Sequence, residues 1–124
     1  MKKTPKLTSF ERGYIDSALW ITCDSDGSPL EESYSLSDFA PKTIRKIKTD
    51  CQKFLDLAMK QCLWAPEDSE QAERAGQVLY LDRNGHGAGF WDGRWEHGDT
   101  LTEIADQLGE SELYVGDDGK IYAT

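Results

Sequence analysis

Between Pro41 and Pro66 the chain carries its longest periodic segment, and this segment constrains the fold more than any other feature. Ile44, Ile47, Cys51, Phe54, Leu55, Ala58 and Cys62 recur at three- and four-residue spacing. They share one face of a helix and leave Lys42, Arg45, Lys46, Lys53 and Lys60 on the outer face. Pro41 costs nothing in a first helical turn, whose amides lack an intrahelical acceptor, and Pro66 ends the pattern. The expected helix runs from Pro41 to about Trp64. Its apolar stripe has to be buried by the rest of the chain, and 124 residues provide one core.

Upstream, Thr8 and Glu11 have capping-box spacing, which predicts a helix from Ser9 to about Thr22 with Phe10, Tyr14, Ala18 and Ile21 facing inward. Residues 23–38 read as a loop, with Asp24 to Gly27 and Pro29 as turn chemistry. Downstream, Asp68 to Ala75 reads as a short acidic helix stopped by Gly76. Gln77 to Arg83 reads as a strand, turned at Asn84-Gly85 into a return strand over Phe90 to Trp95 with a bulge at Gly93. A further helix starts near Asp99 and Thr100, carries Leu101, Ile104, Ala105 and Leu108 inward, and stops at Gly109. Glu112 to Gly116 and Lys120 to Ala123 flank Asp117-Asp118-Gly119, the strongest hairpin signal in the chain. Tight turns join antiparallel strands. The expected fold is therefore α+β: an antiparallel sheet of about four strands, with two N-terminal helices and one further helix packed on it. Residues 1–7 read as a flexible basic arm and residues 8–124 as a single domain.

The formal net charge of −9 disfavours direct nucleic-acid binding and attraction to an anionic membrane. No apolar run suits a membrane span or a signal peptide. Cys23, Cys51 and Cys62 are odd in number, and the last two sit about 16 Å apart on the long helix, so a reducing, cytoplasmic setting is expected.

The densest chemical constellation is Arg83-Asn84-Gly85-His86-Gly87-Ala88-Gly89-Phe90-Trp91-Asp92. Asn84, Gly85, His86, Gly87 and Gly89 form a loop whose backbone amides are open to a ligand. His86 could act as a general acid or base oriented by Asp82 or Asp92. The competing reading is a glycine-rich turn with a solvated histidine. The run is neither a dinucleotide fingerprint nor a phosphate loop, and no nucleophile motif accompanies it. His86, His97 and the cysteines lack metal-ligand spacing, while Asp24 to Ser35 has Pro29 and Ser35 where a calcium loop needs Gly and Glu. No cofactor or metal is expected.

Charge is unevenly distributed: the long helix is net basic, and residues 67–124 are strongly acidic. Either this is a solvated surface tuned for solubility, or it meets a basic partner. On the second reading Glu103, Asp106, Glu110 and Glu112 contribute charge, and Trp91, Arg94 and Trp95 contribute the aromatic and arginine mix found at interfaces. The expectation for all four tryptophans is otherwise burial.

The run Arg83 to Asp92 and the ending Leu113-Tyr-Val-Gly-Asp-Asp-Gly-Lys-Ile-Tyr122 resemble a group of small proteins encoded by bacteriophages and related mobile elements. Gly13-Tyr14 and Ala18-Leu19-Trp20 in the first helix are similar to the same group, whereas Gly93-Arg94 departs from its more usual Arg-first order. The resemblance carries no assigned activity and implies a life in the cytoplasm of a bacterial host. The leading expectation is a non-enzymatic module that binds a bacterial or phage protein through its acidic C-terminal half, as an inhibitor or modulator of a nucleic-acid-handling protein. The alternative is a small enzyme or ligand-binding domain built on the His86 loop. A third reading is a homo-oligomer in which the basic helix of one copy meets the acidic half of another.

Overall fold

The computed structural model of the protein describes residues 6–124, so the expected basic arm lies outside the described residues up to position 5. Four helices carry the fold: α1 (Ser9–Ile21), α2 (Pro41–Cys62), α3 (Ser69–Arg83) and α4 (Gly98–Leu108). The described strands are β1 (Leu113–Val115) and β2 (Ile121–Ala123), an antiparallel pair in which Tyr114 faces Tyr122. Short 3-10 turns at Leu30–Glu32, Leu36–Asp38 and Phe90–Asp92 shape the connections.

Local chemistry sets most of these boundaries. The Thr8 hydroxyl accepts from the Glu11 amide at 3.1 Å while the Glu11 carboxylate accepts from the Thr8 amide at 2.9 Å, closing the capping box of α1. Pro41 opens α2, which buries Ile44, Ile47, Cys51, Phe54 and Ala58. The Asp68 side chain caps α3 by accepting from the Gln71 amide. Gly109 follows α4 at φ 77°. The start of α2 also anchors the hairpin, because the Ala40 amide and the Thr43 hydroxyl both donate to the Ile121 carbonyl.

The expected four-stranded α+β sheet is overturned: the protein is mostly helical with a two-stranded hairpin. Gln77 to Arg83 continues α3, and Phe90 to Trp95 is a 3-10 turn and loop with Gly93 in the left-handed region, so it is not a return strand. Four consecutive apolar residues, Val78 to Leu81, satisfy a two-residue period as well as a helical one. The buried set Ala75, Gly76, Leu79, Tyr80 and Arg83 has helical spacing and runs through Gly76, which is not a stop. Gly76 and Gly13 instead let α3 and α1 approach closely. A Cβ on Gly76 would run into the Phe10 carbonyl, and one on Gly13 into the Glu73 carbonyl.

Aromatic rings join the helices. Phe54 of α2 stacks on Phe10 of α1 at 5.8 Å and on Phe90 at 5.3 Å, and Tyr14 meets Tyr80 edge-on at 5.3 Å. Beside them Arg83 is buried and donates to Tyr14 Oη, Asp50 Oδ2 and the carbonyls of Leu108 and Gly109. One guanidinium thus ties α1, α2, α3 and the end of α4. Burial acts to lower its pKa, but the Tyr14 hydroxyl and the Asp50 carboxylate outweigh this and raise it.

Candidate functional site

The His86 loop is tied to the rest of the fold through the side chains of Asn84 and His86. Asn84 donates to the Tyr80 and Ser111 carbonyls and accepts from the Ser111 amide at 2.8 Å, clamping the end of α3 to the segment before β1. The His86 ring stacks on Tyr80 with centroids 6.1 Å apart, and its Nε2 lies 2.7 Å from Glu112 Oε1. Gly85 and Gly87 take positive φ in open space, and a Cβ on Gly89 would strike the Trp91 indole.

The carboxylates considered as partners of His86 are engaged elsewhere. Asp82 Oδ2 accepts from the Phe90 amide at 3.0 Å and the Thr102 hydroxyl at 2.8 Å, fixing the turn that follows the loop. Burial raises the Asp82 pKa; the bonds from Phe90 and Thr102 oppose this, and nearby Asp106 adds to it. Asp92 accepts from the Arg94 amide within its own turn. The carboxylate at His86 is Glu112, which lies 26 positions away and whose approach depends on the Asn84–Ser111 clamp.

A different surface gathers the aromatic candidates. Trp91 and Trp95 line an open groove of about 420 Å³ together with Phe90, His97 and Asp99. A smaller cleft of about 120 Å³ adjoins it, between the end of α2 and the start of α4, with Leu63, Trp64, Glu67 and Arg94 in its walls. Both share Trp95 and His97. Trp95 is held from behind, edge-on to Phe90 at 5.2 Å and to Trp64 at 6.2 Å, and those rings lean on Phe54 in the core. Trp91, in the wall of the larger groove, is 54% exposed, and Leu63, in the wall of the smaller cleft, is 82% exposed.

Leu63 and His97, which face the smaller cleft, are the only non-glycine residues at positive φ among the described residues, at 55° and 60°. Leu63 ends α2 where glycine is the unstrained choice, and His97 precedes α4 without a side-chain cap. Neither was named as a candidate from the sequence. The available signal was a helix ending at Leu63-Trp64 before Pro66 with no glycine to make the stop.

From the groove the surface continues onto α4, whose outer positions Asp99, Glu103 and Asp106 are exposed, with exposed Glu110 just beyond its end. Among the described residues these four form no ion pair, whereas Glu112 is committed to His86. The expected burial of the tryptophans holds for Trp64; Trp20, at 59% exposure, and Trp91 depart from it. All three cysteines are free, and no group of three or more His, Cys, Asp or Glu converges as a metal site among the described residues. No described helix is long and apolar enough to cross a membrane.

Comparison with protein-family models, curated proteins and solved structures finds no match to this chain.

Proposed function

We propose that this protein is a non-enzymatic protein-binding module whose docking surface is the groove over Trp95, flanked by Trp91 and Leu63 and continued by the acidic face of α4. The observation that carries this reading is the exposure of Trp91 on one and Leu63 on the other of two clefts that share Trp95. A tryptophan held edge-on by core rings is already in place before a partner arrives, so little side-chain entropy is lost on binding. Such rigid aromatic anchors, ringed by polar groups, dominate interface energetics. The occupant that fits is a protein segment with an apolar anchor followed by Lys or Arg residues, since Asp99, Glu103, Asp106 and Glu110 lie alongside without ion-pair partners among the described residues.

The resemblance to phage and mobile-element proteins makes a bacterial or phage protein the natural class of partner. A nucleic-acid-handling protein, whose working surface is basic, would suit the acidic face, and binding there would occlude that surface. The test compares tagged wild type with Trp91→Ala and Leu63→Ala in nuclease-treated bacterial lysate, followed by titration of the recovered protein after purification. The expected result is a stoichiometric partner lost by both variants, with Glu103→Lys and Asp106→Lys slowing association and flattening its salt dependence. A partner held equally by wild type and all four variants overturns the assignment of this surface.

A further inference from the structure

On the seam between α1 and α3 lies a second groove, of about 330 Å³, lined by Asp16, Ser17, Trp20, Glu31, Gln77 and Leu81. It shares no residue with the clefts at Trp95. Trp20 sits one turn beyond Asp16 on α1, and Leu81 one turn beyond Gln77 on α3, so an indole and an aliphatic side chain border the same channel. Trp20 is 59% exposed although its neighbours Ala18 and Leu19 are buried.

We infer that this groove is a separate docking site for an arginine side chain presented by a protein partner. Trp20 offers the ring face, Leu81 a surface for the aliphatic stem, and Asp16 and Glu31 the carboxylates for the guanidinium. The charge of the groove selects this occupant over an apolar one. Neither Asp16 nor Glu31 forms an ion pair among the described residues, and burial followed by the charge of Glu73 raises the Asp16 pKa, with Arg12 opposing. A cation entering here would favour the ionised form of Asp16, which burial and the charge of Glu73 oppose. Arginine suits the groove better than lysine because its planar guanidinium can stack on indole and still donate in its own plane to carboxylates.

The experiment is a titration of the full chain with acetyl-Gly-Arg-Gly-amide, followed by NMR through the indole Nε1–H of Trp20, which is assigned by its loss in Trp20→Phe. The isosteric peptide with citrulline in place of arginine is the neutral control. The expected result is a saturable shift with arginine, at least about threefold weaker with citrulline and in the Asp16→Asn/Glu31→Gln double variant, as loss of a surface cation site implies. Trp91→Ala should leave this titration unchanged, so failure of the Trp95 groove and failure of this site are read separately. Equal response to the arginine and citrulline peptides, an unmoved Trp20 indole, or full binding by the double variant would each overturn the inference.

Discussion

Arg83 of α3 and Asp50 of α2 meet at 3.0 Å with the guanidinium almost wholly removed from water. The arginine also serves Tyr14 and two backbone carbonyls, so removing it strands several buried acceptors and leaves Asp50 with Lys46 as its remaining cation. Arg83→Ala is expected to cost about 3–5 kcal/mol in urea unfolding. Arg83→Lys should recover only part of this, because one ammonium cannot reach acceptors arranged around a fork. A loss under about 1 kcal/mol for Arg83→Ala would mean that this hub is not holding the helices.

The same pair sets an acid limit. Burial acts to raise the Asp50 pKa, but hydrogen bonds from Lys46 and Arg83 win and hold it below its ordinary value. A carboxylate with a lowered folded pKa contributes stability that is complete above the unfolded value of about 3.9 and disappears as pH falls through the folded value. Asp50→Asn should therefore be less stable than wild type at neutral pH, and the two should converge as pH falls through the lowered folded value. Parallel stability curves from pH 7 to pH 2 would contradict this.

Asp82 has the opposite sign. Its folded pKa is raised, so ionisation of the buried carboxyl opposes folding at neutral pH, and the penalty fades as pH falls through the folded value toward the unfolded one. Asparagine can still accept from the Phe90 amide and Thr102. Asp82→Asn should thus be at least as stable as wild type at pH 7, with its advantage shrinking toward about pH 4, whereas Asp82→Ala should lose about 1–3 kcal/mol by leaving those donors unmet. Thermal melts of the two variants across pH distinguish these outcomes.

Replacing a helical glycine by alanine ordinarily stabilises by about 0.5–1 kcal/mol. At Gly13 and Gly76 the sign should reverse, since each new methyl meets backbone of the opposing helix, which cannot rotate away. Gly13→Ala and Gly76→Ala are each expected to destabilise by about 1–3 kcal/mol. Stabilisation of either variant in chemical denaturation would show that the α1–α3 seam is looser than described.

Leu63 offers a test that separates stability from the proposed binding. Its left-handed backbone favours glycine, and its side chain is 82% exposed. Leu63→Gly should raise stability by about 0.5–1 kcal/mol while weakening capture of the partner at the Trp95 groove. If stability and binding fall together, the residue is simply part of the packing.

Much of the helical frame was legible because its signals are local. Thr8 with Glu11, Pro41, the α2 stripe, Gly109 and the Asp117-Asp118-Gly119 turn each act through neighbours in the chain. α3 was not, because Gly76 looks the same in sequence whether it ends a helix or admits another helix against it, and only the position of α1 decides between them. Once α3 is cut at Gly76, its second half is left as a short apolar run that reads equally well as strand. The surface was legible in part. Trp91, Arg94 and Trp95 were named from composition and line the adjoining clefts, but Leu63 and His97 depend on backbone conformations that residue type alone does not announce.

The close crossing of α1 and α3 also bears on how the chain is made. The most extensive inter-helix contact joins α1 to α3, while α1 and α2 touch only lightly. On a ribosome, α1 emerges with α2 behind it yet lacks its principal mate until residues 69–83 have cleared the exit tunnel. For that interval Tyr14 lacks Tyr80, the ring it meets in the finished fold, so the nascent chain carries exposed apolar surface while half-synthesised. The seam that sets the two helices in register is therefore also the step that ends the vulnerability of the growing chain.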